Sequence, residues 1–167
     1  MKKFITVLLV FAAVISVQAQ DKIGYISSSA ILELMPATKT AQASIQSFGK
    51  QKEAQLEDLQ NQYKNKVENY QANAATMTAI VRQTHEQEIA QWELKIQEVY
   101  KKSQQELAEK ERELLNPVIK VVQDAVNEVA AAEGYTYVID TDAGVGFVIY
   151  KDESRDLMSK VKTKLGL

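Results

Sequence analysis

The sequence predicts a mostly α, α+β fold, with a long antiparallel helical hairpin joined to a small β-sheet body that further copies of the chain complete. Three observations carry this expectation. Between Ala37 and Glu133 the only glycine is Gly49 and the only proline is Pro117, in a stretch dominated by Gln, Glu, Lys and Ala, and that is helix composition. Apolar residues recur through the same stretch at helical spacing. The β-prone runs are confined to its two flanks.

Composition agrees and removes several function classes. The chain has 167 residues, 46% hydrophobic and 25% charged, with six Gly and two Pro, which fits long helices better than a turn-rich sandwich. It has no cysteine. Disulfide frameworks, thiolate metal sites, cysteine nucleophiles and lipid attachment at cysteine are therefore excluded. A single histidine excludes histidine-cluster metal sites, so no metal and no cofactor are expected. The net charge of −2 argues against generic nucleic-acid binding, which needs a basic face to displace counterions.

The elements follow in order. Residues 1–19 read as a cleavable signal peptide, with basic Lys2 and Lys3, an apolar run from Phe4 to Val17, and small-residue cleavage after Ala19. A run of about 14 residues spans about 21 Å as helix, short of a bilayer's roughly 30 Å core. Export without stable membrane insertion is expected. Residues 20–36 form a first body segment: Ile23-Gly24-Tyr25-Ile26 is a short strand, and Ser27-Ser28-Ser29 offer hydroxyl caps for a brief helix over Ala30 to Met35. Pro36 resets the chain.

Residues 37–116 form the arm. One stripe runs Ile45, Phe48, Lys52, Leu56, Leu59, Tyr63, Val67, Tyr70, Ala74, and a second runs Val81, His85, Ile89, Trp92, Ile96, Tyr100, Ser103, Leu107, Glu111, Leu114, Val118, Val122, Ala125, Val129. Both repeat every eleven residues, about 3.67 per turn, so nearly straight helices are expected rather than a leucine zipper. Charge vanishes across Gln71 to Thr78, which marks a hairpin tip near 74–78, with one unbroken helix as the alternative. A reversal there pairs residue i with about 153 − i, placing Ile45 near Leu107 and Leu59 near Leu94.

Residues 117–167 form a second body segment. Helix resumes after Pro117, which is read as a kink or junction, and Gly134 suits its C-terminal end. Tyr135 to Asp140 and Phe147 to Tyr150 are expected to pair as a β-hairpin across Asp142 to Gly146. Asp152 to Ser154 offer caps for a last helix with Leu157, Val161 and Leu165 on one face. Three short strands bury little and leave edges open, so strands from several copies should join. The residues expected to build that body are Ile23, Tyr25, Ile26, Tyr137, Val138, Ile139, Val148, Ile149 and Tyr150.

At this point the chain resembles a known family. Ile23-Gly24-Tyr25-Ile26, Leu34-Met35-Pro36, the long hairpin, Gly134-Tyr135 leading to Val138-Ile139-Asp140, Val148-Ile149-Tyr150, and Asp156-Leu157 with Val161 and Leu165 resemble the Skp/OmpH family of periplasmic chaperones. The resemblance implies a homotrimer with a β-barrel body and three helical tentacles enclosing a cavity. It also implies ATP-independent holding of unfolded outer-membrane β-barrel proteins in the periplasm. The charge departs from better-known members, whose tentacles are strongly basic. Residues 39–116 carry 11 Lys and Arg against 12 Asp and Glu, so client contacts should be mainly apolar and hydrogen-bonded.

A two-helix arm has no third layer to cover its seam, so stripe side chains should stay partly reachable. The expected client-binding residues are Tyr63, Val67, Tyr70, Met77, Ile80, Val81, Ile89, Trp92 and Ile96. No catalytic constellation is apparent. His85 reads as a packed seam residue, Asp140 and Asp142 as turn and edge residues, and Gly144-x-Gly146 lacks the rest of a dinucleotide loop. The expected function is a non-enzymatic holdase. The alternative is a coiled envelope adaptor or spacer docking onto another helical protein.

Overall fold

The computed structural model describes residues 21–142, 144 and 148–167. The leader and residues 143 and 145–147 lie outside the described residues. The order of elements is β1 (Ile23–Ile26), α1 (Ser28–Leu34), α2 (Pro36–Asn73), α3 (Ala79–Ala132), β2 (Tyr137–Asp140), a 3₁₀ turn (Glu153–Arg155) and α4 (Met158–Leu165). The chain divides into two compact units: one is Ala30–Gln123, and the other joins Asp124–Leu167 to the described residues up to Ser29.

In the first unit Pro36 opens α2 at a position where no N–H is needed, and residues 74–78 reverse the chain between α2 and α3. Helix α3 continues through Pro117 without interruption. The ring removes one backbone hydrogen bond, and burial of Val118 at 8% and Val122 at 2% exposure immediately beyond it offsets that loss.

In the second unit β1 and β2 pair in parallel, Ile23 with Tyr137 through Ile26 with Asp140. On its other edge β1 bridges to Asp156, and the Leu157 N–H donates to the Tyr25 carbonyl at 3.0 Å. The hairpin expected from Tyr135 to Tyr150 is therefore corrected. Strand β2 takes β1 as its partner, and Val148–Tyr150, the described part of the expected third strand, is not in a strand. Both edges of β1 are occupied, one by β2 and the other by Asp156, while the outer edge of β2 carries no strand among the described residues. Tyr25, Ile26, Ala125, Leu157 and Val161 form this unit's core. Two ion pairs fasten α4 to the end of α3, Lys160 with Glu133 at 2.7 Å and Lys164 with Glu128 at 2.5 Å.

Side-chain caps come from far along the chain as well as from nearby. At α1 two N–H groups of the first turn reach distant carboxylates: Ser28 N–H reaches Asp140 at 3.3 Å and Ser29 N–H reaches Asp142 at 2.8 Å, while the Ser28 hydroxyl also donates to Asp140. Asp152 caps the 3₁₀ turn through Ser154 N–H, and Asp156 accepts from Met158 N–H at the start of α4. The Ser29 N–H, with the Ser27 hydroxyl, holds the Asp142 carboxyl below its usual range; Lys160 does the same to Glu133, and Ser154 to Asp152. A depressed carboxyl stabilises the fold above its unfolded pKa, and that contribution is lost as pH falls through the folded value. The thermal midpoint is expected to fall on acidification below about pH 4, and Asp142→Asn should flatten that dependence in circular-dichroism melts.

Helix α3 ends with Gly134 at φ +69. Tyr135 N–H bonds the Ala130 carbonyl at 2.9 Å and Gly134 N–H bonds Ala131 at 3.2 Å, the paired bonds of a Schellman end. No atom lies within 4 Å of where a Gly134 side chain would start, so Gly134→Ala carries only the backbone penalty. Loss of about 1 kcal/mol is expected, read from the urea midpoint with helix content retained.

Candidate functional site

The arm's seam is built by the two stripes. Every stripe position from Ile45 to Ala74 is buried or half-buried, and on α3 the same holds from His85 to Val122 except at Tyr100 and Glu111. Two of the polar exceptions have partners. Lys52 bridges to Glu106 at 2.5 Å and stands 5.0 Å from the Phe48 ring, while His85 lies 6.2 Å from the Tyr70 ring.

Register is set by cross-helix polar pairs. Tyr63 donates to Glu93 at 2.5 Å, Lys66 bridges to Glu88 at 3.3 Å, and Tyr70 donates to Glu86. These partners, with Glu106 opposite Lys52, lie further along α3 than 153 − i places them, at Ala90, Gln87, Gln83 and Lys101. Side chains lean toward their own helix N-terminus; α2 side chains therefore lean away from the tip and α3 side chains toward it, and pairs meet across that slant. The Leu59–Leu94 expectation is corrected, since Leu94 is 66% exposed while Leu59 is buried, and Leu107 lies beside Gly49, one turn from Ile45, 4.0 Å from where the Gly49 Cβ would be.

Between Leu59 and Val118 no described residue is buried. Tyr63, Val67, Tyr70, Met77, Ile89, Trp92 and Ile96 are half-buried, and Val81 and Ile80 are exposed, Ile80 at 77%. Sequence reasoning missed Leu94, which its assigned place on the seam concealed. It also missed the charged partners of the rings: Lys66 and Lys95 stand 5.6 and 4.5 Å from the centroid of Trp92. Lys95 lies three residues from Trp92 on the same helix, a local spacing that signals the contact, whereas Lys66 comes from α2 and has no local signal. Hydrogen bonding to Glu93 raises the pKa of Tyr63 and hydrogen bonding to Glu86 that of Tyr70, and the Lys52 contact lowers that of Glu106.

The body residues separate into two sets. Tyr25 and Ile26 are buried and Val138, Ile139 and Val148 half-buried, whereas Ile23 at 47%, Tyr137 at 61%, Ile149 at 95% and Tyr150 at 85% are exposed. Burial raises the Tyr25 pKa, and its hydroxyl has no hydrogen-bond partner among the described residues. Among the described residues no group of three or more histidines and carboxylates converges as a metal site, and no helix is long and apolar enough to cross a membrane. Asp140 and Asp142 act as helix caps.

A two-helix arm with a half-covered apolar seam, inserted in sequence between two parallel strands, defines a class of protein that offers extended surface rather than an enclosed site. The family described as outer membrane protein (OmpH-like) matches residues 22–165, and the chain belongs to that family. Chaperone protein Skp of Pectobacterium atrosepticum is 29% identical over 154 residues, covering 92% of this chain and 93% of that one. Chaperone protein Skp of Vibrio cholerae is 31% identical over 126 residues, 75% of each chain. A crystal structure of an OmpH-like protein from Caulobacter crescentus superposes with TM-score 0.72 over 88% of this chain and 85% of that one, at 17% identity. That likeness shows a shared fold.

Proposed function

We propose that this protein is an ATP-independent holdase chaperone of the periplasm that retains unfolded outer-membrane β-barrel proteins and keeps them from aggregating. The observation that carries the reading is the absence of any buried residue between Leu59 and Val118 among the described residues. A long surface of half-covered apolar groups retains an unfolded chain through many weak, non-directional contacts without specifying its sequence. The polar residues between them keep the arm soluble. The Skp name of the relatives points to the same activity.

The body supports an oligomer. Ile23, Tyr137, Ile149 and Tyr150 are apolar and exposed, and β2 lies at the edge of a two-stranded sheet. Such an edge invites pairing, and three copies closing a common β-body would cover it. Several arms on one body would raise the effective concentration of contacts around a single client. No catalytic step enters this reading.

The experiment dilutes a urea-unfolded outer-membrane β-barrel protein into buffer with the mature chain at stoichiometric ratio and follows light scattering. Suppressed aggregation is expected without nucleotide. Unsuppressed aggregation sinks the reading. Sedimentation equilibrium tests the assembly, and a folded monomer at micromolar concentration would overturn it.

A further inference from the structure

We propose that the arm caps its own aromatic rings with charge, and that an unfolded client reaches those rings by displacing the caps. This rests on the holdase reading and adds to it an autoinhibitory contact built into the arm.

The arm carries five aromatic side chains, and four of them are engaged. Phe48 has the Lys52 ammonium 5.0 Å from its centroid, and Trp92 has Lys95 at 4.5 Å and Lys66 at 5.6 Å. Tyr63 and Tyr70 give their hydroxyls to Glu93 and Glu86. Tyr100 is 54% exposed and has no such partner among the described residues.

The caps have two properties that suit them to exchange. Each is individually weak, because cation–π contacts and hydrogen bonds at partly exposed sites compete with water. Burying a whole ring against a client removes far more apolar surface. The idle arm thus keeps its rings from sticking to other arms, while a chain offering many apolar groups at once outcompetes them. In addition, Lys66, Glu86 and Glu93 reach across from the opposite helix, so displacing a cap also releases a tie across the part of the seam that has no buried residue. Client entry and loosening of the outer arm are therefore one event.

The test removes caps while keeping rings. In the full mature chain, Tyr63→Phe with Tyr70→Phe deletes both hydroxyls, and the dissociation constant is measured by anisotropy with a dye-labelled, urea-unfolded outer-membrane β-barrel protein. Binding about three- to tenfold tighter is expected, together with faster hydrogen exchange across residues 63–93 without client. Weaker binding would mean that the hydroxyls themselves hold the client, and unchanged binding or unchanged exchange would mean that the ties restrain nothing; any of these overturns the proposal. Tyr100→Phe controls for added hydrophobicity and is expected within about twofold of wild type; an equal gain there also overturns it. Lys95→Met gives a second, independent arm. Trp92 is the chain's one tryptophan, and its acrylamide quenching should rise without client as affinity for client rises. Unchanged quenching and affinity refute the cation caps. A wild-type chain that retains no client sinks the holdase reading and this proposal with it, whereas wild-type retention with unaltered variants sinks this proposal alone.

Discussion

Leu157→Ala is expected to lower the unfolding free energy by about 2–5 kcal/mol. Leu157 is fully buried, and its N–H completes the far edge of β1 by donating to the Tyr25 carbonyl. Its side chain occupies space that another residue leaves open. A methyl group on Gly24 would overlap Leu157 and approach the Tyr135 ring to 2.8 Å, so β1 lies against Leu157 only because position 24 has no side chain. Gly24→Ala alone should cost about 1–3 kcal/mol through overpacking. The double variant separates contact from coincidence. Truncating Leu157 removes the closer of the two overlaps and leaves only the Tyr135 ring to shift, so the combined loss should be smaller than the two single losses added together. Urea denaturation at fixed protein concentration measures all three variants. Strict additivity would show that the two side chains do not share the space.

This contact also shows where sequence reading stops. The helices were legible because an eleven-residue spacing repeated over many turns leaves little choice of facing surface, and Tyr63, Tyr70 and Trp92 lie on the seam for that reason. Strand partners carry no comparable signal. Tyr137–Asp140 has an alternation that suits any neighbouring edge; proximity in sequence favoured Phe147–Tyr150, while the fold pairs it with Ile23–Ile26, more than a hundred residues earlier in the sequence. Asp140 and Asp142 illustrate the same limit. Their caps on α1 span more than a hundred residues, and no local spacing could reveal them. The charged caps on the rings were hidden for a different reason. Lys66, Glu86 and Glu93 lie off the stripes and come to the aromatics only through the register of the hairpin, whereas Lys95 reaches Trp92 from three residues along the same helix.

Ile80→Gln, Val81→Gln and Leu94→Gln combined are expected to weaken client binding about tenfold or more while leaving the thermal midpoint unchanged. The three side chains are 77%, 42% and 66% exposed, so the folded chain gains little from them; glutamine is a better helix former than valine or isoleucine, and exposed substitutions of this kind stay within about 0.5 kcal/mol. The client would lose more. Covering one exposed aliphatic side chain contributes about 0.5–1 kcal/mol when burial is partial, and each 1.4 kcal/mol is tenfold in affinity. Anisotropy titration with an unfolded β-barrel protein reads the loss, and a circular-dichroism melt confirms the intact arm. Unchanged affinity with an unchanged melt would remove the outer half of α3 from the client surface and confine binding to the seam, where every apolar group is already shared between two helices. Such an arm could hold a client only by opening, so the triple variant tests whether capture begins on the outside of the hairpin or within it.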